Sequence, residues 1–205
     1  MGIDVLRFGQ TEMACNATPK LFSELCANMD FYLKFEEENK YKQMGQQLHI
    51  YENKLGRDFN ADRPNQKWVT DISYIRTAQG FLYLSAIRDL YDNSIVAYKT
   101  GTEQTINLVL NTVKAAKEKE VATTELQLHS DQGFQYTSRG YFNLIQEYGI
   151  QASMSRRGNC FDNAMAENFF SILKSECIYR QKIKTFDEAR SLIDEYIHFY
   201  KDLFF

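Results

Sequence analysis

The pattern of apolar and polar positions becomes regular at Trp68. The stretch WVTDISYI alternates apolar and polar side chains with the two-residue period of a half-buried strand. Two further stretches rich in β-forming residues follow, GFLYLSAIRDLYD and SIVAYKTG, with DNS as the turn between them. Strands that follow one another this closely predict an antiparallel meander.

After the meander, helical and extended patterns alternate. TINLVLNTVKAAKEKE has one apolar helical face, ELQLHSD predicts a fourth strand, and TSRGYFNLIQEYG predicts a helix that ends at Gly149. IQASMS predicts a fifth strand, and DNAMAENFFSILKSECI predicts a helix with Asp162 or Asn163 as its N-cap. TFDEARSLIDEYIHFYKDL predicts a last helix, opened by a capping box of Thr185 and Glu188. The order β-β-β-α-β-α-β-α-α predicts an α/β fold with a mixed five-stranded sheet flanked by helices.

This pattern divides the chain into three parts. Residues 68–205 form the predicted domain. Residues 46–67 are polar and end in ADRPNQK, which is typical of a linker. Residues 1–45 show only a short helical pattern around Pro19–Phe35, and we assign no function to them.

Composition excludes several classes of protein. No apolar run approaches the roughly 20 residues that a membrane span needs, and the N-terminus has no secretory signal pattern. The four cysteines are scattered without a CxxC pair, which indicates free thiols in a reducing compartment and disfavours a structural zinc site. We therefore expect a cytoplasmic protein.

Charge is distributed unevenly along the chain. The net charge of -3 does not by itself indicate a nucleic-acid-binding protein. Between Arg156 and Lys184, however, six basic residues stand against three acidic ones. A local basic surface matters more to a phosphate backbone than the sum over the chain.

Three acidic residues occupy unusual positions. Asp71 lies in the middle of the first strand, where Asp is disfavoured, and by alternation it shares a face with Val69 and Ile75. Asp131 ends the fourth strand, and Glu167 lies on the helix after the fifth. Because the first and fourth strands can be neighbours in such a sheet, we expect the three carboxylates to converge at the carboxyl ends of the strands.

Converging carboxylates suit a hard divalent cation, Mg²⁺ or Mn²⁺. Two such ions about 3.5–4 Å apart form the usual clamp for in-line phosphoryl transfer. Each acid also has a simpler interpretation: Asp71 as an edge residue or turn cap, Asp131 as a turn former, and Glu167 as a solvated helix residue. Periodicity alone does not decide between the two interpretations.

Longer motifs carry a family resemblance. NQKWVTDISYI, HSDQGFQYTS and SRRGNCFDNAMAENFFSILKSEC resemble the catalytic core of insertion-sequence transposases related to retroviral integrases, the insertion-sequence-three group. The resemblance runs from about Lys40 to about Tyr200. It implies a ribonuclease H-like fold and an Asp, Asp, Glu metal triad in which thirty-five residues separate the second Asp from the Glu. Thirty-five residues also separate Asp131 from Glu167.

The resemblance implies a role for each acid. Asp71 and Asp131 would hold two Mg²⁺ or Mn²⁺ ions, with Asp71 bridging them, and Glu167 would complete the second metal site. The ions would activate water and later a DNA 3′-hydroxyl for attack on a phosphodiester. The implied partners are double-stranded DNA, as element ends and target, and further copies of the chain in a homo-oligomer. The implied location is the bacterial cytoplasm, with action at the nucleoid.

The resemblance also suggests residues that contact DNA. Lys174 lies seven residues after Glu167, on the same helical face, where related integrases carry a Lys that contacts DNA. Arg156, Arg157 and Asn159 belong to a basic loop that could position a DNA strand. The alternatives are a solvated helix lysine and a plain solvated loop.

Other residues near these motifs are expected to be structural. His129 precedes Asp131 by two positions, and we expect it to pack or to support the site rather than to bind metal. Trp68 is expected in the core. Cys160 and Cys177 are expected to be core or loop cysteines.

The resemblance weakens at both ends of the chain. Family members continue past HFY with a basic segment, whereas this chain ends HFYKDLFF, which suggests truncation by a frameshift or an early stop. Residues 1–39 do not resemble the helix-turn-helix segments that recognise element ends in full family proteins.

Three hypotheses of function follow. The leading one is a Mg²⁺-dependent transposase or integrase core that cuts and joins DNA through Asp71, Asp131 and Glu167. The second is a non-catalytic truncated fragment that binds DNA or regulates an intact transposase. The third is a ribonuclease H-type nuclease of RNA–DNA hybrids, which the sequence motif SRRGN…DNAMAEN disfavours.

Overall fold

A mixed sheet forms the centre of the domain. The computed structural model of the chain describes residues 49–119 and 125–202, which belong to one compact unit, residues 46–205. The strands are β1 (Lys67–Thr77), β2 (Gly80–Asp89), β3 (Ile95–Gly101), β4 (Gln127–Ser130) and β5 (Gln151–Met154). The helices are α1 (Ile106–Lys119), α2 (Arg139–Glu147), α3 (Ala164–Glu176) and α4 (Phe186–Asp202). The helical pattern around Pro19–Phe35 lies outside the described residues.

The sheet has the strand order β3-β2-β1-β4-β5. The first three strands pair antiparallel, which confirms the predicted meander. β1 pairs parallel with β4, and β4 with β5. The predicted mixed five-stranded sheet and the predicted neighbourhood of the first and fourth strands are thereby confirmed.

Both faces of the sheet are covered because its strands carry apolar residues on both sides. On one face, Trp68 and Ile87 pack with the buried residues of α1 and α2. On the other face, Ile75 and Leu84 pack with those of α3 and α4. Full burial of such a side chain is worth about 1.5–3 kcal/mol, so the two apolar layers hold the helices in place. Trp68 is fully buried, which confirms its predicted place in the core.

The start of α3 differs from the prediction. A 3-10 turn, Cys160–Asn163, precedes the helix, and Asn163 takes the N-cap position without a side-chain capping hydrogen bond. Asp162 does not cap the helix either, because two arginine side chains donate hydrogen bonds to its carboxylate. Of the two predicted N-cap residues, Asn163 therefore takes the position, but its side chain forms no capping hydrogen bond.

The segment before β1 has no helix or strand from residue 49 to residue 66, but it is well packed. We call residues 49–58 the strap. At its start the ring of His49 stacks on Phe142 of α2 with 4.2 Å between centroids. Further along, the backbone N–H of Leu55 donates a hydrogen bond to Ser153 Oγ of β5 at 3.1 Å.

The helices of the described part are all too short or too polar to cross a membrane.

Candidate active site

The register of β1 and β4 places two aspartates side by side. Val69 of β1 is opposite His129 of β4 in this parallel pair. Two residues further along each chain come Asp71 and Asp131, the latter just after β4 ends. Neighbouring strands lie about 4.8 Å apart. The two carboxyl groups are close enough for repulsion from Asp131 to raise the pKa of Asp71.

A tight turn fixes the carboxylate of Asp131. Its Oδ1 atom accepts a hydrogen bond from the backbone N–H of Gly133 at 2.9 Å. A Cβ atom at position 133 would lie 2.9 Å from the same oxygen, which is closer than real Cβ contacts. An alanine at this position would therefore force the Asp131 carboxylate to shift. Asp131 acts as a turn former, and its second oxygen accepts no hydrogen bond from the described residues.

Glu167 is brought to the aspartates by helix α3. Its neighbour Ala166 is buried in a cluster with Val69, which holds the first turn of the helix against β1. Glu167 itself is exposed, and no described residue donates a hydrogen bond to its carboxylate. Although much of the side chain is exposed, the protein atoms packed around part of it desolvate the carboxyl group, and this desolvation, followed by repulsion from Asp131, raises the pKa of Glu167 above its ordinary value. The helix thus presents a third carboxylate to the pair of aspartates.

Asp71 is the most perturbed member of this acidic triad. Burial among protein atoms, and then repulsion from Asp131, raise the pKa of Asp71 well above its ordinary value, and Glu167 adds a smaller repulsion. The backbone N–H of Ile72, 2.7 Å from Asp71 Oδ1, and the ammonium of Lys174 oppose this shift. The pKa of each of the three carboxyl groups is thus raised, by burial at Asp131 and by burial with repulsion from Asp131 at Asp71 and Glu167, so the site favours positive charge.

The chemistry of the triad fits a hard divalent cation. Its donors are carboxylate oxygens, which Mg²⁺ and Mn²⁺ prefer, without a thiolate or imidazole among them. The amide of Asn163 lies beside it, with Nδ2 3.5 Å from the carbonyl oxygen of Thr70, and its buried Oδ1 has no hydrogen-bond partner in the described residues. As the described side chains stand, no three His, Cys, Asp or Glu residues already form a metal-binding group.

Lys174 lies close to the triad, two turns along α3 from Glu167. Its Nζ atom is 4.8 Å from the ring centroid of Tyr74 on β1, a cation–π contact. Its charge also lowers the pKa of Asp71. The half-buried position is not that of a plain solvated lysine, and it places one positive charge at the edge of the acidic site.

Two residues of the predicted DNA-binding loop are engaged within the protein. Arg156 forms an ion pair with Asp162, with Nε 2.9 Å from Oδ2. Asn159 Oδ1 accepts a hydrogen bond from Arg57 of the strap at 3.0 Å. Arg157 is exposed and makes no hydrogen bond to another described residue. Contact of these three residues with DNA remains a prediction, and Arg157 is the one available for it without rearrangement.

His129 has a structural position, as predicted. Its two ring nitrogens lie 2.8 Å from Ser153 Oγ and 3.0 Å from Ser155 Oγ, and the ring is fully buried. Burial lowers the pKa of His129 to about 4, so the ring is neutral at physiological pH. Its hydrogen bonds connect β4 to β5 and to the residue after it.

Sequence reasoning missed two features of the site: the unpaired amide oxygen of Asn163 and the arginines around Asp162. The turn at Gly133 agrees with the simpler interpretation of Asp131 as a turn former. Nothing in the sequence indicated that Arg57 would contact Asp162, since the two lie more than a hundred residues apart in the chain.

Comparison with family models identifies the domain. Two models, both described as an integrase core domain, match residues 61–160 and 167–202. An uncharacterized transposase-like protein of Haemophilus influenzae is 44% identical over 162 residues, which are 78% of this chain and 74% of that protein. The transposase InsF for insertion sequence IS3A of Escherichia coli is 35% identical over 150 residues, 73% of this chain and 52% of that protein. This chain therefore spans about half the length of InsF.

A solved structure shows the same fold. A chain of the cryo-EM structure of the simian T-cell lymphotropic virus intasome, in complex with PP2A regulatory subunit B56 gamma, aligns with a TM-score of 0.53. Sequence identity is 16%, and the alignment covers 64% of this chain and 45% of that one. The ribonuclease H-like fold that the family resemblance implied is confirmed. On its family models and its transposase relatives, the chain belongs to the family of insertion-sequence transposases that carry an integrase core domain.

Proposed function

We propose that this chain is the catalytic core of a divalent-metal-dependent DNA transposase, which cuts and joins phosphodiester bonds through Asp71, Asp131 and Glu167. The supporting observation is the acidic triad itself. Two neighbouring strands and one covering helix bring together three carboxyl groups with raised pKa values, and repulsion from Asp131 contributes to the shifts of Asp71 and Glu167. A protein gains nothing in stability from such repulsion, which is typical of a site that functions with a cation.

Each residue of the triad has a distinct task. Asp71 would hold the ions from the middle of β1. Asp131 would bind through the oxygen that Gly133 leaves free, and Glu167 would bind from the exposed side. Two Mg²⁺ or Mn²⁺ ions held by these residues would lower the pKa of the attacking hydroxyl group and stabilise negative charge on the phosphate.

The DNA partner would be held by the positive charges around the triad. Lys174 lies at the edge of the acidic site and can donate hydrogen bonds to a phosphate oxygen. Arg157 is exposed on the loop before α3 and can do the same. The substrate would be double-stranded DNA, first an element end and then a target, handled by a homo-oligomer in the bacterial cytoplasm.

The test is a cleavage and strand-transfer assay on a labelled duplex that carries the DNA flanking the gene, in Mg²⁺ or Mn²⁺. Asp131→Asn should reduce the rate about 1,000-fold, because loss of a metal ligand removes several kcal/mol of transition-state stabilisation. The matched control is Asp187→Asn, since Asp187 is an exposed residue of α4 whose one ion pair within the described residues is with Arg190. The control should cleave like the wild type.

Three outcomes would contradict the proposal. Equal cleavage by Asp131→Asn and the wild type would remove the triad assignment. A wild-type protein that binds the duplex and inhibits an intact transposase, without turnover in either metal, would favour a regulatory fragment. Cleavage of RNA–DNA hybrids but not of the duplex would favour a ribonuclease H-type nuclease.

A further inference from the structure

The carboxylate of Asp162 accepts hydrogen bonds from three residues in two separate segments of the chain, the strap and the loop before α3. It is fully buried and accepts five hydrogen bonds. Arg57 Nε of the strap lies 2.8 Å from Oδ1 and Asn53 Nδ2 lies 2.9 Å from Oδ2. Arg156 donates its backbone N–H and two guanidinium N–H groups at 2.9–3.1 Å. A buried carboxylate is stable only when its lone pairs are satisfied in this way.

This network lies where helix α3 lacks an anchor of its own. The N-cap residue, Asn163, makes no capping hydrogen bond, so the first backbone N–H groups of the helix gain no support from it. Asp162 immediately precedes the cap, and Glu167 lies five residues later in the first turns of the helix. The hydrogen bonds to Asp162 therefore hold the chain at the point from which Glu167 is presented.

The strap is held in place by the backbone conformation and contacts of Arg57 and by the burial of Leu55. Arg57 has a left-handed backbone, with φ of 67°, which costs conformational energy for a residue other than glycine. Its guanidinium also bonds Asn159 and lies 5.7 Å from the ring centroid of Phe161. Two positions earlier, Leu55 is buried in one cluster with Ala166, the neighbour of Glu167. A strained residue with this many contacts indicates that its position matters to the site.

We infer that Asp162 is a positioning residue, and that the strap, through Arg57, fixes the start of helix α3 so that Glu167 meets the two aspartates. Asp162 takes no part in the chemistry, because its oxygens are occupied. The ligand role of Glu167 rests on the proposed function, whereas the ordering of the helix start by the strap does not. A segment that precedes the sheet in the chain would then control how well the third carboxylate is placed.

The experiment compares the full chain with Arg57→Gln, which removes the strap's ion pair but leaves Arg156 on Asp162. Hydrogen exchange of the metal-free proteins should show amides of residues 159–168 exchanging about 10-fold faster in the variant. Calorimetry with Mn²⁺ should show binding about 10-fold weaker, as is typical when support for a ligand is lost. Arg57→Lys, which can still pair with Asp162 but not with Asn159 as well, should recover part of both effects.

The matched control is Arg63→Gln, which removes an exposed ion pair with Glu125 at 2.6 Å and should change neither measurement. Unchanged exchange at the start of α3 would overturn the inference, and so would faster exchange with unchanged Mn²⁺ affinity. Asp162→Asn is a second variant for which the same two quantities, hydrogen exchange at the start of α3 and Mn²⁺ affinity, can be measured. A wild-type protein that binds no Mn²⁺ would instead refute the proposed function, and the exchange result would still decide whether the strap orders the helix.

Discussion

At the scale of single residues, Gly133 shows how little space the side chains around Asp131 leave. A methyl group at this position would lie 2.9 Å from Asp131 Oδ1 and 3.3 Å from Gln135 Oε1, so the Asp131 carboxylate would have to shift. Gly133→Ala should therefore displace the Asp131 carboxylate and reduce DNA cleavage about 100-fold, the effect expected of a misplacement near 1 Å. The cleavage rate in saturating Mg²⁺ measures the effect.

Gly140→Ala is the control for this substitution. Gly140 lies in the first turn of α2, where a new Cβ would meet only the ends of flexible side chains, with Leu110 Cδ1 the nearest at 3.4 Å. We expect wild-type cleavage from it, since alanine also favours the helix. A Gly133→Ala protein as active as the control would show that the turn does not determine the position of Asp131.

At the scale of elements, the order of strands and helices was predictable because each segment has a strong local pattern. The alternation in β1 placed Asp71 on the same face as Val69 and Ile75, and in the structure residues of α3 pack on that face. Register between β1 and β4 was beyond prediction, since it depends on packing between segments about sixty residues apart. Periodicity could not predict that Glu167 lies near Asp131, whereas the thirty-five-residue spacing typical of the family did.

The start of α3 shows why local rules fail at this site. Asp162 is a favourable N-cap residue by type, and nothing local competes for it except Arg156. Its carboxylate instead faces the strap, because Arg57 and Asn53 reach it from far along the chain. Long-range ion pairs of this kind carry no periodic signal, so the network that holds the helix was not foreseeable.

The contact between α3 and β1 gives a second prediction, on DNA binding. Lys174→Gln should weaken binding of a labelled duplex at low salt and reduce the slope of log affinity against log salt by about 1, the value for one lost phosphate contact. Fluorescence anisotropy over a range of KCl concentrations measures the slope. The same change in charge at Lys114, exposed on α1 on the opposite face of the sheet, should leave the slope unaltered. Equal slopes for both variants would remove Lys174 from the interface.

At the scale of the whole molecule, the acidic triad makes metal-free folding depend on pH. A carboxyl whose pKa is raised by folding binds more protons in the folded than in the unfolded state. Its stabilising contribution is therefore lost as pH rises from the unfolded pKa of about 4 through the folded one. His129 acts in the opposite direction between pH of about 4 and 6.5, because its pKa is lowered to about 4. The contribution of the triad to the pH dependence of stability can therefore be isolated only by comparing variants that all retain His129.

Asp71→Asn is the variant for this comparison. Without metal, it should be more stable than the wild type by about 0.5–2 kcal/mol at pH 8, as when strain at an active site is relieved, with little advantage near pH 4. Each kcal/mol raises the midpoint of thermal unfolding by about 2–4 °C in a domain of this size. Mn²⁺ at 100 times its dissociation constant should then add about 2.7 kcal/mol to the wild type but not to the variant, which reverses their order. If Asp71→Asn gained no stability at pH 8, or if Mn²⁺ stabilised both proteins equally, the repulsion among the three carboxyl groups would not be what a cation relieves.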